Sequence, residues 1–329
     1  MIITRTPFRV SFFGGGTDVP AYFRQAPGAV LSTSIDRYMY LSAHPYFDGS
    51  SIHLKYSRSE LAKDVGSVRH PIVRRALERL GHPGGVEITS TADVPAGTGL
   101  GSSSAFAVGL LNLLHVERGR AVDPATLAAE ACAIEIDDLA SAVGKQDQYA
   151  SAFGGLNYIR FFPDGAVDVA GVAVGRQARE ALEASLSMFY TGEARSAPEL
   201  LEEQTREVAA DPDKRGALAS LAQMAAEGRD LLLANRIDRF GSLLHEAWMA
   251  KRSLSRRVST PRADAMYEAA RAAGAWGGKL LGAGGGGFLL VAAPPAVRQR
   301  IREALRDAQE LPVRFDRGGT KVVYMSEGS

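Results

Sequence analysis

"DVPAGTGLGSSSAFAVGLLNLL", residues 93–114, sets three glycines and three serines directly in front of an apolar run. Just upstream, "GGVEITSTADVP" alternates as a half-buried strand, with Val86, Ile88 and Ser90 on one side, and ends at Val94. Gly97, Gly99 and Gly101 then allow another group to approach the backbone closely. Ser102, Ser103 and Ser104 open a helix over 105–116 that is apolar almost all round and therefore buried. A strand, a glycine loop and a helix N-terminus in that order suit a polyphosphate. Free backbone N–H groups and the helix dipole both favour an anion there. The hydroxyls can bind phosphate oxygens or a magnesium ion, which takes oxygen ligands. A bland alternative is a glycine-rich turn with a serine cap and no ligand. GxxxxGK[ST] occurs nowhere in the chain, which excludes a Walker-type loop.

Two further glycine clusters flank this one. Gly14-Gly15-Gly16 follows the strand "RVSFF". "GAGGGG" at 282–287 satisfies GxGxxG literally, but the "FLLVAA" after it reads as a strand, which weakens it as a dinucleotide fingerprint. The 329 residues allow two domains, and 46% hydrophobic with 23% charged residues is ordinary globular composition. Lys plus Arg number 38 against 37 Asp plus Glu, which argues against a nucleic-acid or polybasic membrane surface. No apolar run approaches the roughly 18 residues of a membrane span. No signal peptide is read at the N-terminus, so a cytoplasmic location is expected. Cys132 reads as a small core residue. The six histidines show no HxxxH or HxH pairing, against a histidine metal site.

The first sixty residues read as strands, with Asp48-Gly49 between two of them. "HPIVRRALERL" has helical spacing, and Asp123-Pro124 caps a helix through "ATLAAEACAIEIDDLAS". Long helical patterns fill most of 197–274. A helix over 295–311 and the closing strands "VRFDR" and "KVVYMS" follow. The expected class is α+β in two domains, 1–180 and 181–329.

The three clusters in this order, in "TPFRVSFFGGGTD", "PAGTGLGSSSA" and "KLLGAGGGGF", resemble the motifs of the GHMP kinase superfamily over Thr6 to Leu289. The resemblance implies ATP- and Mg²⁺-dependent phosphorylation of a small metabolite. It also implies an N-terminal domain like ribosomal protein S5 domain 2 and a ferredoxin-like C-terminal domain with extra helices. It places ATP on Pro95, Gly97, Gly99, Leu100, Gly101 and Ser102 to Ser104, and Mg²⁺ on Ser103 and Glu135, with Asp137 and Asp138 as competitors. Asp147 in "GKQDQYASAFGG" matches the family's catalytic aspartate, and Arg9 its basic partner.

"FFGGGTDVPAYF", "VGKQDQYASAFGGLNYIRF", "YTGEARSA" and "LHEAWMAKRSLSRRVST" are similar to the kinases of D-glycero-D-manno-heptose 7-phosphate. Where galactokinase-like members carry Gly-Glu-His, this chain has Gly14-Gly15-Gly16, which disfavours galactose. The expected sugar-phosphate contacts are Gly15, Gly16, Thr17, Asp18, Gln148, Arg195, Lys251, Arg252, Gly284, Gly285 and Gly286, with Arg256 and Arg257 as further cations. The expected reaction is phosphorylation of the anomeric hydroxyl, by a monomer or homodimer. The rivals are a fucokinase-like kinase of an unphosphorylated sugar and a catalytically silent binding protein.

Overall fold

A computed structural model describes residues 1–193 and 197–326. Its first sheet is built from β1 (Ile2–Phe13), β2 (Gly28–Pro45), β3 (Ile52–Lys55), β4 (Ser59–Ala62), β5 (Val86–Ala92), β6 (Leu156–Phe161) and β7 (Val167–Gly171). The 18-residue β2 is long enough for two neighbours beyond β1. Its Gly28–Thr33 half pairs with β6 and its Met39–Pro45 half with β5, both antiparallel. β3 joins β5 in parallel. The turn at Asp48-Gly49 therefore closes no hairpin, because β5 lies between the strands it connects.

Helices α1 (Pro20–Phe23), α2 (Pro71–Leu80), α3 (Ser102–Glu117), α4 (Pro124–Cys132) and α5 (Gln146–Phe153) belong to this half. Asp123 caps α4 by accepting from the Ala125 and Thr126 amides at 2.9 and 3.0 Å. The helical reading of "EACAIEIDD" needs one correction. Ala133–Asp138 continues α4 as a π-helix, whose wider turn presents Glu135 inward. α3 is the core's central rod: Leu110, Leu111, Leu113 and Leu114 are all buried, each worth about 1.5–3 kcal/mol of apolar transfer. Cys132 is buried, and burial raises its thiol pKa strongly.

The second half contains α6 (Arg176–Ser185), β8 (Leu186–Tyr190), α7 (Ala197–Ala210), α8 (Pro212–Leu233), α9 (Ile237–Leu254), α10 (Pro261–Ala272), β9 (Gly277–Leu280), β10 (Phe288–Ala292), α11 (Arg298–Ala304) and β11 (Glu310–Leu311). Its sheet runs β11-β8-β10-β9, all antiparallel. In chain order that is 4-1-3-2, the ferredoxin-like arrangement, with α7 to α10 inserted between its first two strands. Trp248 and Tyr267 are buried against this sheet.

The expected helix over 295–311 stops at Ala304. Glu310 is drawn instead into an edge strand beside β8, its carboxylate held by Arg302 at 2.7 Å. "VRFDR" makes only a single bridge, Ile35 to Phe315. β12 (Lys321–Met325) returns to the first sheet and pairs antiparallel with β1. No described helix is long and apolar enough to cross a membrane.

Candidate active site

A cavity of about 690 Å³ opens between the two halves, and all three glycine clusters reach it. Its floor is the N-terminus of α3. Gly101 caps that helix in the left-handed region at φ +78°, with no side-chain cap, so the first-turn N–H groups face the cavity. Gly101 has a second reason to be glycine: a Cβ there would stand 3.2 Å from Asp147 Oδ2.

Arg9 reaches this point through a β-bulge. The β1–β2 register shifts between Pro7 and Arg9, which frees the Arg9 amide to donate to Leu100 O at 3.1 Å. Its guanidinium then donates through Nη1 to Gly99 O and, as a two-pronged pair, through Nε and Nη2 to the two oxygens of Asp147, all at 2.6 Å. One buried arginine therefore fixes both the loop and the carboxylate. Asp147 lies in the first turn of α5, where the helix dipole favours an anion.

Glu135, brought in by the π-turn, is 3% exposed and has no cationic partner among the described ion pairs. Ser103 Oγ donates to its Oε1 at 2.6 Å; Ser104 Oγ and Gln148 Nε2 donate to its Oε2 at 2.8 and 2.7 Å. Burial raises its pKa, and these three neutral donors partly offset that. A buried, cation-free carboxylate beside a serine hydroxyl and a phosphate-ready helix end is a hard-oxygen donor set that fits Mg²⁺. Asp138 does not compete, because Arg79 Nη2 holds it at 2.8 Å and Nε as well.

On the side of the first cluster, Gly15, Gly16 and Asp18 line the cavity. Asp18 accepts from Gly16 N at 2.9 Å and from the Gln146 backbone and side chain at 3.1 Å each. Burial first, then the nearby Asp147 charge, raise its pKa. Gly284 and Gly286 also line the cavity, as do Lys251 and Lys279.

Several expected contacts are placed elsewhere. Thr17 is fully buried and its hydroxyl ties the first turn together through Gly14 O and Ala29 O, at 2.8 and 3.0 Å. Gln148 is buried behind Glu135 and does not line the cavity. Gly285 donates its amide to Val258 O at 3.0 Å. Pro95 is exposed outside the cavity lining, and Leu100 is buried as the loop's anchor. Arg252 pairs with Asp264 at 3.1 Å, Arg257 pairs with Glu203, and Arg256 is exposed off the cavity. Arg195 lies outside the described residues.

Two groups escaped the reading of the sequence. Lys279, which opens the motif "KLLGAGGGGF" without being singled out within it, is buried in β9 and lines the cavity. Tyr56, His70 and Phe106 form an aromatic wall on the α2 side. His70 stacks on Phe106 at 4.9 Å and 23°, and Tyr56 meets it edge-on. Burial holds the His70 pKa below its usual value, so the ring is neutral and suited to stacking. Aromatics dispersed over two loops and α3 leave no local sequence signal.

The family model "GHMP kinases N terminal domain" matches residues 68–155 and "GHMP kinases C terminal" matches residues 229–310. The D-glycero-alpha-D-manno-heptose 7-phosphate kinase of Campylobacter jejuni is 29% identical over 94% of this chain and 94% of its own length. The bifunctional fucokinase/GDP-fucose pyrophosphorylase of Arabidopsis thaliana is 27% identical over 94% of this chain but only 31% of its own length. Among solved structures, a D-glycero-D-manno-heptose 1-phosphate kinase from Bacteroides thetaiotaomicron has a TM-score of 0.80 at 23% identity, covering 99% of this chain and 100% of that one. A putative sugar kinase from Campylobacter jejuni has a TM-score of 0.77 at 25% identity, covering 98% and 97%.

Proposed function

The chain belongs to the GHMP kinase family, and we propose that it transfers the γ-phosphoryl group of ATP to the anomeric hydroxyl of D-glycero-D-manno-heptose 7-phosphate. The product would be the 1,7-bisphosphate, feeding nucleotide-activated heptose synthesis in the cytoplasm. The observation that carries this reading is the Arg9–Asp147 pair, set against Gly101 at the open N-terminus of α3. The 29% identity with the Campylobacter jejuni heptose 7-phosphate kinase supports the choice of sugar. We place the division of the two domains at 180/181, within α6.

In this reading the first-turn amides of α3 bind the phosphates, and the Tyr56–His70–Phe106 wall takes the adenine ring. Ser103 and Glu135 hold Mg²⁺, which when bound offsets the phosphate charge. Asp147, held rigidly by Arg9, orients the acceptor hydroxyl and takes its proton. Asp18, Gly15 and Gly16 border the sugar.

One observation favours a second reading, a kinase of an unphosphorylated sugar. The cations lining the cavity among the described residues are Arg9, Lys251 and Lys279; the first two are tied to the Gly99–Gly282 crossing and the third to β1 carbonyls. Arg252, expected at a distal phosphate, is turned to Asp264. Steady-state kinetics on heptose and fucose, with and without a terminal phosphate, separates the two. The heptose-phosphate reading requires kcat/KM at least about 10²-fold higher with the 7-phosphate, the value of one charge-assisted contact. Equal values with and without it would sink that reading.

A further inference from the structure

We propose that Lys279 and Lys251 form a two-ammonium clamp on the phosphoryl group in transit, beside the Arg9–Asp147 pair. The proposal rests on the kinase reading of the cavity and gives these lysines a role in the transfer itself rather than in holding the acceptor's far end.

Lys279 Nζ donates to Ser11 O at 2.9 Å and to Phe12 O at 3.0 Å, two and three residues along β1 from Arg9. Lys251 Nζ donates to Gly282 O. Gly282 in turn lies so close to Gly99 that a Cβ on it would stand 2.6 Å from the Gly99 Cα. Gly99 O accepts from Arg9 at 2.6 Å. Lys251 thus sits at the crossing between the second and third loops, where Arg9 also ends, and Lys279 is held on β1 just beyond Arg9. Both side chains are at least nine-tenths buried, both line the cavity, and neither has a carboxylate partner among the described ion pairs.

Two buried ammonium groups beside a guanidinium repel one another, and backbone carbonyls alone replace little of the water they have lost. The strain shows in their proton affinities. Burial, with Arg9, lowers Lys251 to about 8 despite Asp18 and Asp147, and burial, then Lys251 and Arg9, holds Lys279 well below the ordinary lysine value. An arrangement of this kind is complementary to an anion. Each Nζ has N–H capacity beyond its carbonyl acceptors, and phosphoryl oxygens that gain charge during transfer are acceptors of the matching sign.

The test compares wild type with Lys279→Met and Lys251→Met, all with Mg²⁺. Two affinities are measured without acceptor, for ADP and for ADP with aluminium fluoride, which mimics the group in flight. kcat and KM are then measured with the best acceptor. The expected result is ADP affinity within about threefold of wild type, with the fluoride complex weakened about 10²-fold and kcat lowered about 10²–10³-fold. The loss should be the same for phosphorylated and unphosphorylated sugars. Equal weakening of ADP and of the fluoride complex overturns the clamp, as does a loss confined to acceptors bearing a terminal phosphate. Lys279 also ties β9 to β1, so if Lys279→Met loses its folded circular-dichroism signal, Lys251→Met decides alone. If wild type phosphorylates no sugar, the substrate reading fails. The two affinity measurements need no acceptor and still decide the clamp.

Discussion

Both oxygens of Asp147 are taken by one guanidinium, at 2.6 Å each, before any substrate arrives. Such a carboxylate cannot swing. Its remaining lone pairs point where the backbone of α5 and Arg9 jointly aim them, which is what a group that must meet a hydroxyl in one orientation requires. Asp147→Asn keeps the size but sets an amide N–H against a guanidinium N–H. We expect kcat to fall by at least about 10²-fold, as for loss of a positioned base, with ATP affinity unchanged. Single-turnover kinetics and nucleotide titration check this, and near-normal turnover would remove the proton from Asp147's account. Glu135 is the contrasting carboxylate. It has three neutral donors and, among the described ion pairs, no cation, which is why it is the carboxylate proposed for the metal.

At the scale of elements, the site is a crossing of two loops. The second cluster passes under the third where Gly99 and Gly282 touch backbone to backbone, and Phe288 N donates to Thr98 O at 3.3 Å. Gly99, at φ +82°, would bring a Cβ to 2.5 Å from Leu281 O; Gly119, at φ +68°, has nothing within 4 Å. Gly119→Ala should therefore cost only the left-handed backbone term, about 1–2 kcal/mol, with kinetics unchanged. Gly99→Ala should cost more than that and also raise KM for ATP; calorimetry with initial rates compares the pair. The periodicity and caps of the sequence marked α2, α3, α4 and α8 to α10, because those helices form from local preferences with apolar faces to match. The π-turn was invisible because its apolar spacing continues that of α4, and one extra residue per turn leaves no mark on composition. The burial of Lys279, which heads the third motif, was invisible for a different reason. Its burial depends on β1 backbone carbonyls more than 260 residues away.

At the scale of the whole molecule, the chain's last described segment crosses back over the boundary between the halves. After β11 it leaves the second sheet, passes under the C-terminal end of α5 and ends as β12 beside β1. Thr320 is the knot: its amide donates to Ser151 O at 3.1 Å, and its hydroxyl meets Thr6 Oγ1 at 2.8 Å and Asn112 Nδ2 at 3.2 Å. One residue thereby joins α5, β1 and α3, the three elements that carry Asp147, Arg9 and the cavity-facing first-turn amides. Remote packing should for that reason register in the chemistry. A Cβ on Gly319 would fall 1.8 Å from Ala152 O in α5, a backbone atom that can yield only if the helix moves. On Gly318 it would meet nothing nearer than the flexible end of Lys321 at 3.4 Å. Gly319→Ala should lower Tm and, by tilting α5, reduce kcat about 10-fold or more, since sub-ångström to ångström misplacement of a reacting group is enough for that. Gly318→Ala should leave both near wild type. If Gly319→Ala lowers Tm while kcat holds, α5 is positioned by Arg9 alone and the returning strand contributes stability without steering Asp147.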